Sequence, residues 1–217
     1  MEVRVNRCRN FLAQGLLLWA ILALFCFGDD FKPPLDDTKQ LVKVFDIQGY
    51  HARLIRFEKV NGRWQRVGKA WDVVVGRNGV GKEREGDGKS PTGYYSLEDV
   101  YAYHDLQTAM PLFLSTKDTI CVDDSHSRYY NRIIEAYHVK KDYQSFEWMR
   151  RKDNLYEVVV TVGYNQARQP GKGSCIFLHI ANGDKPTAGC VAMKRHQILE
   201  LVEWLDPKKY PWILISD

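Results

Sequence analysis

The hydrophobic pattern of the chain is mostly of short period. "ARLIRFEKV" (52–60) and "RWQRVGKAWDVVVG" (63–76) alternate or run apolar over five to eight residues, and the Asn61-Gly62 pair between them is a turn signal. "LYEVVVTVGYN" (155–165) and "SCIFLHI" (174–180) are rich in β-branched and aromatic residues and predict further strands. The helical period shows clearly near the end, where Ile198, Leu201, Val202 and Leu205 fall on one face and Lys194, Glu200 and Glu203 on the other. Asp206-Pro207 stops that helix, and "PWILISD" predicts a last strand. Residues 129–150 carry a mixed pattern that predicts a short helix or two. The sum is a mainly β (α+β) fold, a single mixed β-sandwich or barrel-like domain over 45–217 with a few peripheral helices.

The N-terminus departs from this pattern. Arg4, Arg7 and Arg9 precede an apolar run from Phe11 to Phe27, broken only by Gln14 and Gly15. Its 17 residues lie between a signal-peptide core and a minimal membrane span. The charge asymmetry favours export, with 1–28 as a signal peptide or an N-terminal membrane anchor and 11–27 as a possible membrane tether. The expected location is the periplasm or cell envelope. "GDDFKPPLDDTKQ" follows, acidic and with Pro33-Pro34, so 29–44 reads as a spacer.

Composition narrows the classes. A hydrophobic fraction of 45% with 12% aromatics describes a globular protein. The formal charge of +4 includes the three N-terminal arginines, and no basic patch interleaved with aromatics stands out, which excludes a nucleic-acid partner. Cys121, Cys175 and Cys190 lie in the domain, an odd number with no CxxC. Cys121–Cys175 is a conceivable disulfide; Cys175–Cys190 competes with it.

The glycine-rich stretch "VVVGRNGVGKEREGDGKSPTGYY" (73–95) nearly imitates a phosphate-binding loop. The first glycine of that motif would fall on Glu83, Pro91 follows Ser90 at once, and Glu83, Glu85 and Asp87 would repel a polyphosphate. Nucleotide binding is rejected, and no cofactor is expected. A loop of this kind on a β scaffold suits substrate contact, with Lys82 and Lys89 placed to meet a carboxylate.

"SCIFLHIANGDKPTAGCVAM" brings a strand-end histidine, His179, and a cysteine, Cys190, to either side of a turn-rich segment. An ordinary thiol is mostly protonated at neutral pH, and a nearby imidazole can take its proton. Gly189 admits close backbone approach, and N–H groups around Gly189 and Cys190 suit an oxyanion. A zinc site lacks two further ligands at recognisable spacing, so no metal is expected. Residue chemistry alone leaves two readings open: a nucleophile with its base, or a satisfied core histidine beside an unrelated small cysteine.

The combination of "SCIFLHI…PTAGCVAM", "GDGKSPTGYY", "CVDDSHSRYYNRI" (121–133) and "YQSFEWM" (143–149) resembles an exported bacterial branch of the L,D-transpeptidase (YkuD-like) family, over roughly 50–216. The resemblance implies a cysteine enzyme of the cell wall, with peptidoglycan stem peptides as its partner. By matching position Cys190 is the nucleophile, His179 the base and Gly189 part of the oxyanion region, with Thr187 and Ala188 among the substrate-binding positions. Attack on the L–D amide of a tetrapeptide stem gives a thioester; an amine then makes a crosslink, or water trims the stem as an L,D-carboxypeptidase. Ile180 can orient the imidazole only through its backbone carbonyl. The chain departs from the family at Ala188, where His is common, at Ala192, often Asn or Arg, and in a short His-to-Cys spacing. These departures bear on transfer against hydrolysis, and they keep open an inactive wall-binding module.

Overall fold

The computed structural model describes residues 31–216. The segment 1–28, with its proposed export role, lies outside the described residues. No helix among the described residues is long and apolar enough to cross a membrane.

Twelve strands form: β1 (Gln40–Gln48), β2 (His51–Val60), β3 (Arg63–Val74), β4 (Gly93–Ala102), β5 (Leu112–Leu114), β6 (Thr119–Val122), β7 (Arg132–Glu135), β8 (Glu147–Trp148), β9 (Val158–Val162), β10 (Phe177–Ile180), β11 (Val191–Met193) and β12 (Trp212–Ile215). Nine of them make one sheet in the order β12-β1-β2-β3-β11-β10-β9-β4-β5. Because β12 pairs with β4 as well as β1, the sheet closes on itself. The other three make a small sheet, β7-β6-β8. The mainly β, barrel-like expectation therefore holds.

Asn61 and Gly62 both take positive φ in the β2–β3 turn, as their dipeptide signalled. The helix, α1 (Arg195–Trp204), buries Ile198, Leu201 and Val202 together with Leu205 beyond its end. That apolar stripe packs on β9 and β10, so the helix backs the strand that ends in His179. Val44, Leu54, Val100, Val160, Leu178, Val191 and Ile213 complete the main core.

Two boundaries differ from expectation. The sheet begins at Gln40, inside the segment read as spacer, with Leu41, Val42 and Val44 wholly buried. The acidic, Pro-rich letters before Thr38 masked the alternation that starts just after it. Residues 129–150 hold no α-helix: they give β7, a 3-10 turn at Ala136–His138, and β8. Ile133 and Ile134 are β-branched neighbours that pair with Cys121 and Ile120 of β6, and tertiary pairing decides their conformation.

Candidate active site

Strands β10 and β11 run parallel, with His179 opposite Ala192. Side chains alternate between faces along a strand, so Cys190, two residues before Ala192, lies on the same face as His179. The period of two thus puts imidazole and thiol on one side of the sheet, on α-carbons about 8 Å apart by strand spacing and rise. A cavity of about 370 Å³ is lined by both, and by Glu147, Arg151, Tyr156 and Thr187 among others. The chain between them turns through Asn182–Lys185, where the Lys185 N–H donates to the Asn182 carbonyl.

The histidine is held from one side only. His179 Nδ1 lies 2.9 Å from the Ile180 carbonyl oxygen, and a carbonyl can only accept, so Nδ1 carries the proton. Nε2 is left as the basic nitrogen, with no hydrogen-bond partner among the described residues. The ring packs at 5.0 Å edge-on against Tyr156 and is only 7% exposed. Burial, with a contribution from the Arg151 charge, lowers its pKa to about 4. The imidazole is neutral at pH 7.

Cys190 is the free cysteine among the described residues, and 6% exposed. Its Sγ donates to the Cys175 carbonyl and accepts from the Phe177 N–H, both at 3.3 Å. Burial, then the Glu147 charge, raises the thiol pKa to about 12, against the opposing pull of the Phe177 N–H and the Lys82 ammonium. Thiol and imidazole therefore rest as a neutral pair at pH 7.

Cys175 is bonded to Cys121 with α-carbons 6.1 Å apart, which settles the choice between the two disulfides left open above. The bond ties β6 of the small sheet to the segment that carries the thiol's acceptor. Asn131 reinforces the tie, its Oδ1 accepting from the Cys175 N–H at 3.0 Å.

The backbone donors expected near an oxyanion are partly engaged within the protein. Gly189 N–H donates to Thr187 Oγ1 at 3.1 Å, so this donor is already engaged. Thr187 Oγ1 in turn donates to the Cys190 carbonyl at 2.7 Å and fixes the turn. The Cys190 N–H has no acceptor among the described residues and is the available donor. A Cβ on Gly189 would stand 2.9 Å from the Lys89 carbonyl oxygen, so only glycine fits between the two loops.

The glycine-rich loop lies behind this turn. Asp87 accepts from the N–H groups of Glu83, Arg84 and Lys89 and from Lys82 Nζ. Burial opposes its ionisation, yet these donors prevail and hold the carboxyl far below its usual range. Lys82, whose side chain is 3% exposed, is thus paired inside the protein and does not line the cavity. Lys89 is likewise absent from the lining, while its backbone packs on Gly189. Ser90 Oγ donates to the Cys190 carbonyl at 3.1 Å. The loop braces the cysteine turn, and neither lysine lines the cavity, although the Lys82 ammonium acts on the thiol through space.

Thr187 and Ala188 do line the cavity with Cys190 and His179. Glu147, Arg151 and Tyr156 were not singled out from the sequence, although "YQSFEWM" was. Tyr156 OH donates to Glu147 Oε2 at 2.6 Å, and Arg151 pairs with Asp153 while its guanidinium stacks 5.0 Å over the Tyr156 ring. One acid set between Phe146 and Trp148 was the available signal. No grouping of His, Cys, Asp or Glu among the described residues suits a metal ion.

Comparison with solved structures returns the helical cell shape determining protein Pgp2 from Campylobacter jejuni. Its K307A mutant is 14% identical with a TM-score of 0.43, covering 84% of this chain and 48% of that one. Unsubstituted Pgp2 is 15% identical at the same TM-score, covering 84% and 49%. The chain spans about half the length of these proteins. No curated protein matches. The family model described as YkuD, L,D-transpeptidase catalytic domain, matches residues 51–214, most of the chain, and the protein belongs to that family.

Proposed function

We propose that the protein is a cysteine acyl-transfer enzyme acting on peptidoglycan stem peptides, with Cys190 as nucleophile and His179 as base. The observation that carries this reading is the shared cavity: a free thiol beside an imidazole whose Nδ1 is engaged and whose Nε2 is not. Sγ attacks the carbonyl carbon of the L–D amide as Nε2 takes the thiol proton. The developing oxyanion meets the Cys190 N–H, and the C–N bond breaks as imidazolium returns the proton to the leaving D-residue amine. A thioester remains. An acceptor amine closes a crosslink, or water releases a shortened stem.

The disulfide supports action in an oxidising compartment, in keeping with export through 1–28. Hydrolysis is the second reading, favoured by Ala188 and Ala192 in the cavity wall, which offer an incoming amine no side-chain acceptor. Cys190→Ala, folded as judged by its melt, is expected to form no product from purified disaccharide-tetrapeptide. Undiminished turnover would eliminate the proposal. With the unsubstituted protein, dimers mean transfer and tripeptide alone means hydrolysis.

A further inference from the structure

A second groove opens beside the cavity that holds Cys190. It measures about 620 Å³ and is lined by Lys117, Phe146, Trp148, Arg150, Lys152 and the Arg151-paired Asp153, together with Glu147 and Arg151. The last two also line the first cavity, so the two spaces share a wall. Within β8, Glu147 joins Tyr156 next to the thiol and Trp148, the next residue, carries the groove outward.

Three features of this groove point to one kind of occupant. Trp148 is 48% exposed, the one tryptophan among the described residues that stands in the exposed class. Phe146 and the indole meet nearly perpendicular with centroids 4.9 Å apart, a contact that fixes the orientation of the exposed ring. Around it Lys117, Arg150 and Lys152 are exposed and have no carboxylate partner among the described residues. Arg150 already donates to the Ser115 carbonyl at 3.0 Å, which leaves Lys117 and Lys152 as the free donors. The exposed indole beside them suits a ligand with an apolar C–H face and a circumference of acceptor oxygens. A pyranose ring has that form, its axial hydrogens packing on the electron-rich indole face. A second copy of the chain does not suit it, since a two-fold contact would set these cations against themselves.

We propose that Trp148 is the stacking platform for an N-acetylated amino sugar of the glycan strand that carries the stem peptide. Lys117 and Lys152 donate to its hydroxyls, its N-acetyl carbonyl and the first carboxylate of the stem. The proposal rests on the stem-peptide reading above. Three extended residues between the sugar and the L–D bond of a tetrapeptide span roughly 10 Å, a short reach that suits two spaces sharing Glu147 and Arg151 as their wall.

Two measurements test it. In the Cys190→Ala background, where no turnover intervenes, a linear tetramer of β-1,4-linked N-acetylglucosamine is titrated calorimetrically. Trp148→Ala is expected to weaken binding at least tenfold, and Trp148→Phe to restore most of it, with melts showing that both variants fold. With Cys190 present, Trp148→Ala should raise KM for disaccharide-tetrapeptide about tenfold but that for the sugar-free tetrapeptide less than twofold. Equal oligosaccharide binding by Trp148→Ala and the parent would overturn the proposal. So would an equal KM rise on both substrates, which would make the groove a peptide site, or a dimer in sedimentation that Trp148→Ala dissolves. If no variant or parent turns over any stem, the catalytic reading fails, and the calorimetric arm still decides the sugar site.

Discussion

The nine-stranded sheet presents His179, and Cys190 just ahead of β11, on the face opposite Leu178 and Val191, where the thiol packs with Tyr156 and Phe177. The three-stranded sheet, by contrast, reaches the same cavity on strands of two to four residues. One side of the site is thus fixed by a continuous apolar core that includes Leu178, Val191 and the helix residues Ile198 and Leu201. The other side has Ile120, Val122 and Tyr143 as its own small core and is fastened at Cys121 to the segment it must face. A juxtaposed thiol and imidazole can be supplied by core packing alone. Its opposite wall here needs a covalent tie, because so few buried residues leave little to offset the entropy of ordering it.

That contrast is tested most severely by removing the tie. Closing a loop across the 54-residue separation is worth up to about 4 kcal/mol in a chain-entropy account. Cys121→Ala with Cys175→Ala is therefore expected to lower stability by roughly 2–4 kcal/mol in denaturant melts. Hydrogen exchange should show the loss concentrated in 119–148, with β10 and β11 still protected. A uniform loss across both sheets would mean that they form one cooperative unit and that the contrast is false.

The same contrast explains what could be read from letters alone. Residues 174–193 declared themselves because strand period, turn chemistry and two reactive side chains coincide within twenty positions. Their shared face follows from the period of two once the parallel register is known, and the register required the fold. The family resemblance supplied the roles that residue chemistry left undecided. That Lys82 pairs with Asp87, five residues on, and does not line the cavity follows from a buried loop geometry that composition does not reveal. Glu147, Arg151 and Tyr156 were invisible individually, since their meaning depends on the small sheet folding over the thiol.

A second test separates the two sides by acid. The free imidazole titrates near 6.5 and His179 in the fold near 4, so between these values the unfolded chain binds more protons. The stabilisation is complete above pH 6.5 and is lost as pH falls through about 4, by an amount on the order of 3 kcal/mol. Cys190 acts with the opposite sign: its raised pKa stabilises the fold below pH 9 and that contribution fades toward pH 12. Urea melts at pH 7 and 4.5 should show a smaller acid loss in His179→Gln than in the parent, the carboxylates common to both cancelling in the difference. Identical losses would place the imidazole in solvent-like surroundings, contrary to its burial in the large sheet.

The smallest expected effect asks whether the small sheet merely covers the thiol or also tunes it. Glu147 is the nearest acid to act on Cys190, and its charge works against forming a thiolate. Burial raises the Glu147 pKa as well, while the Tyr156 hydroxyl opposes that rise. Glu147→Gln keeps an oxygen to accept from Tyr156 but removes the charge, so packing is preserved while the electrostatics change. The Cys190 thiol should then ionise at lower pH, and its alkylation at pH 8, followed by peptide mapping to exclude Cys8 and Cys26, should quicken roughly three- to tenfold. Slower alkylation would show that the hydrogen-bond network of Tyr156 outweighs the carboxylate. An unchanged rate would confine the role of this sheet to covering the site, and the thiol would then owe its high pKa to burial in the large sheet alone.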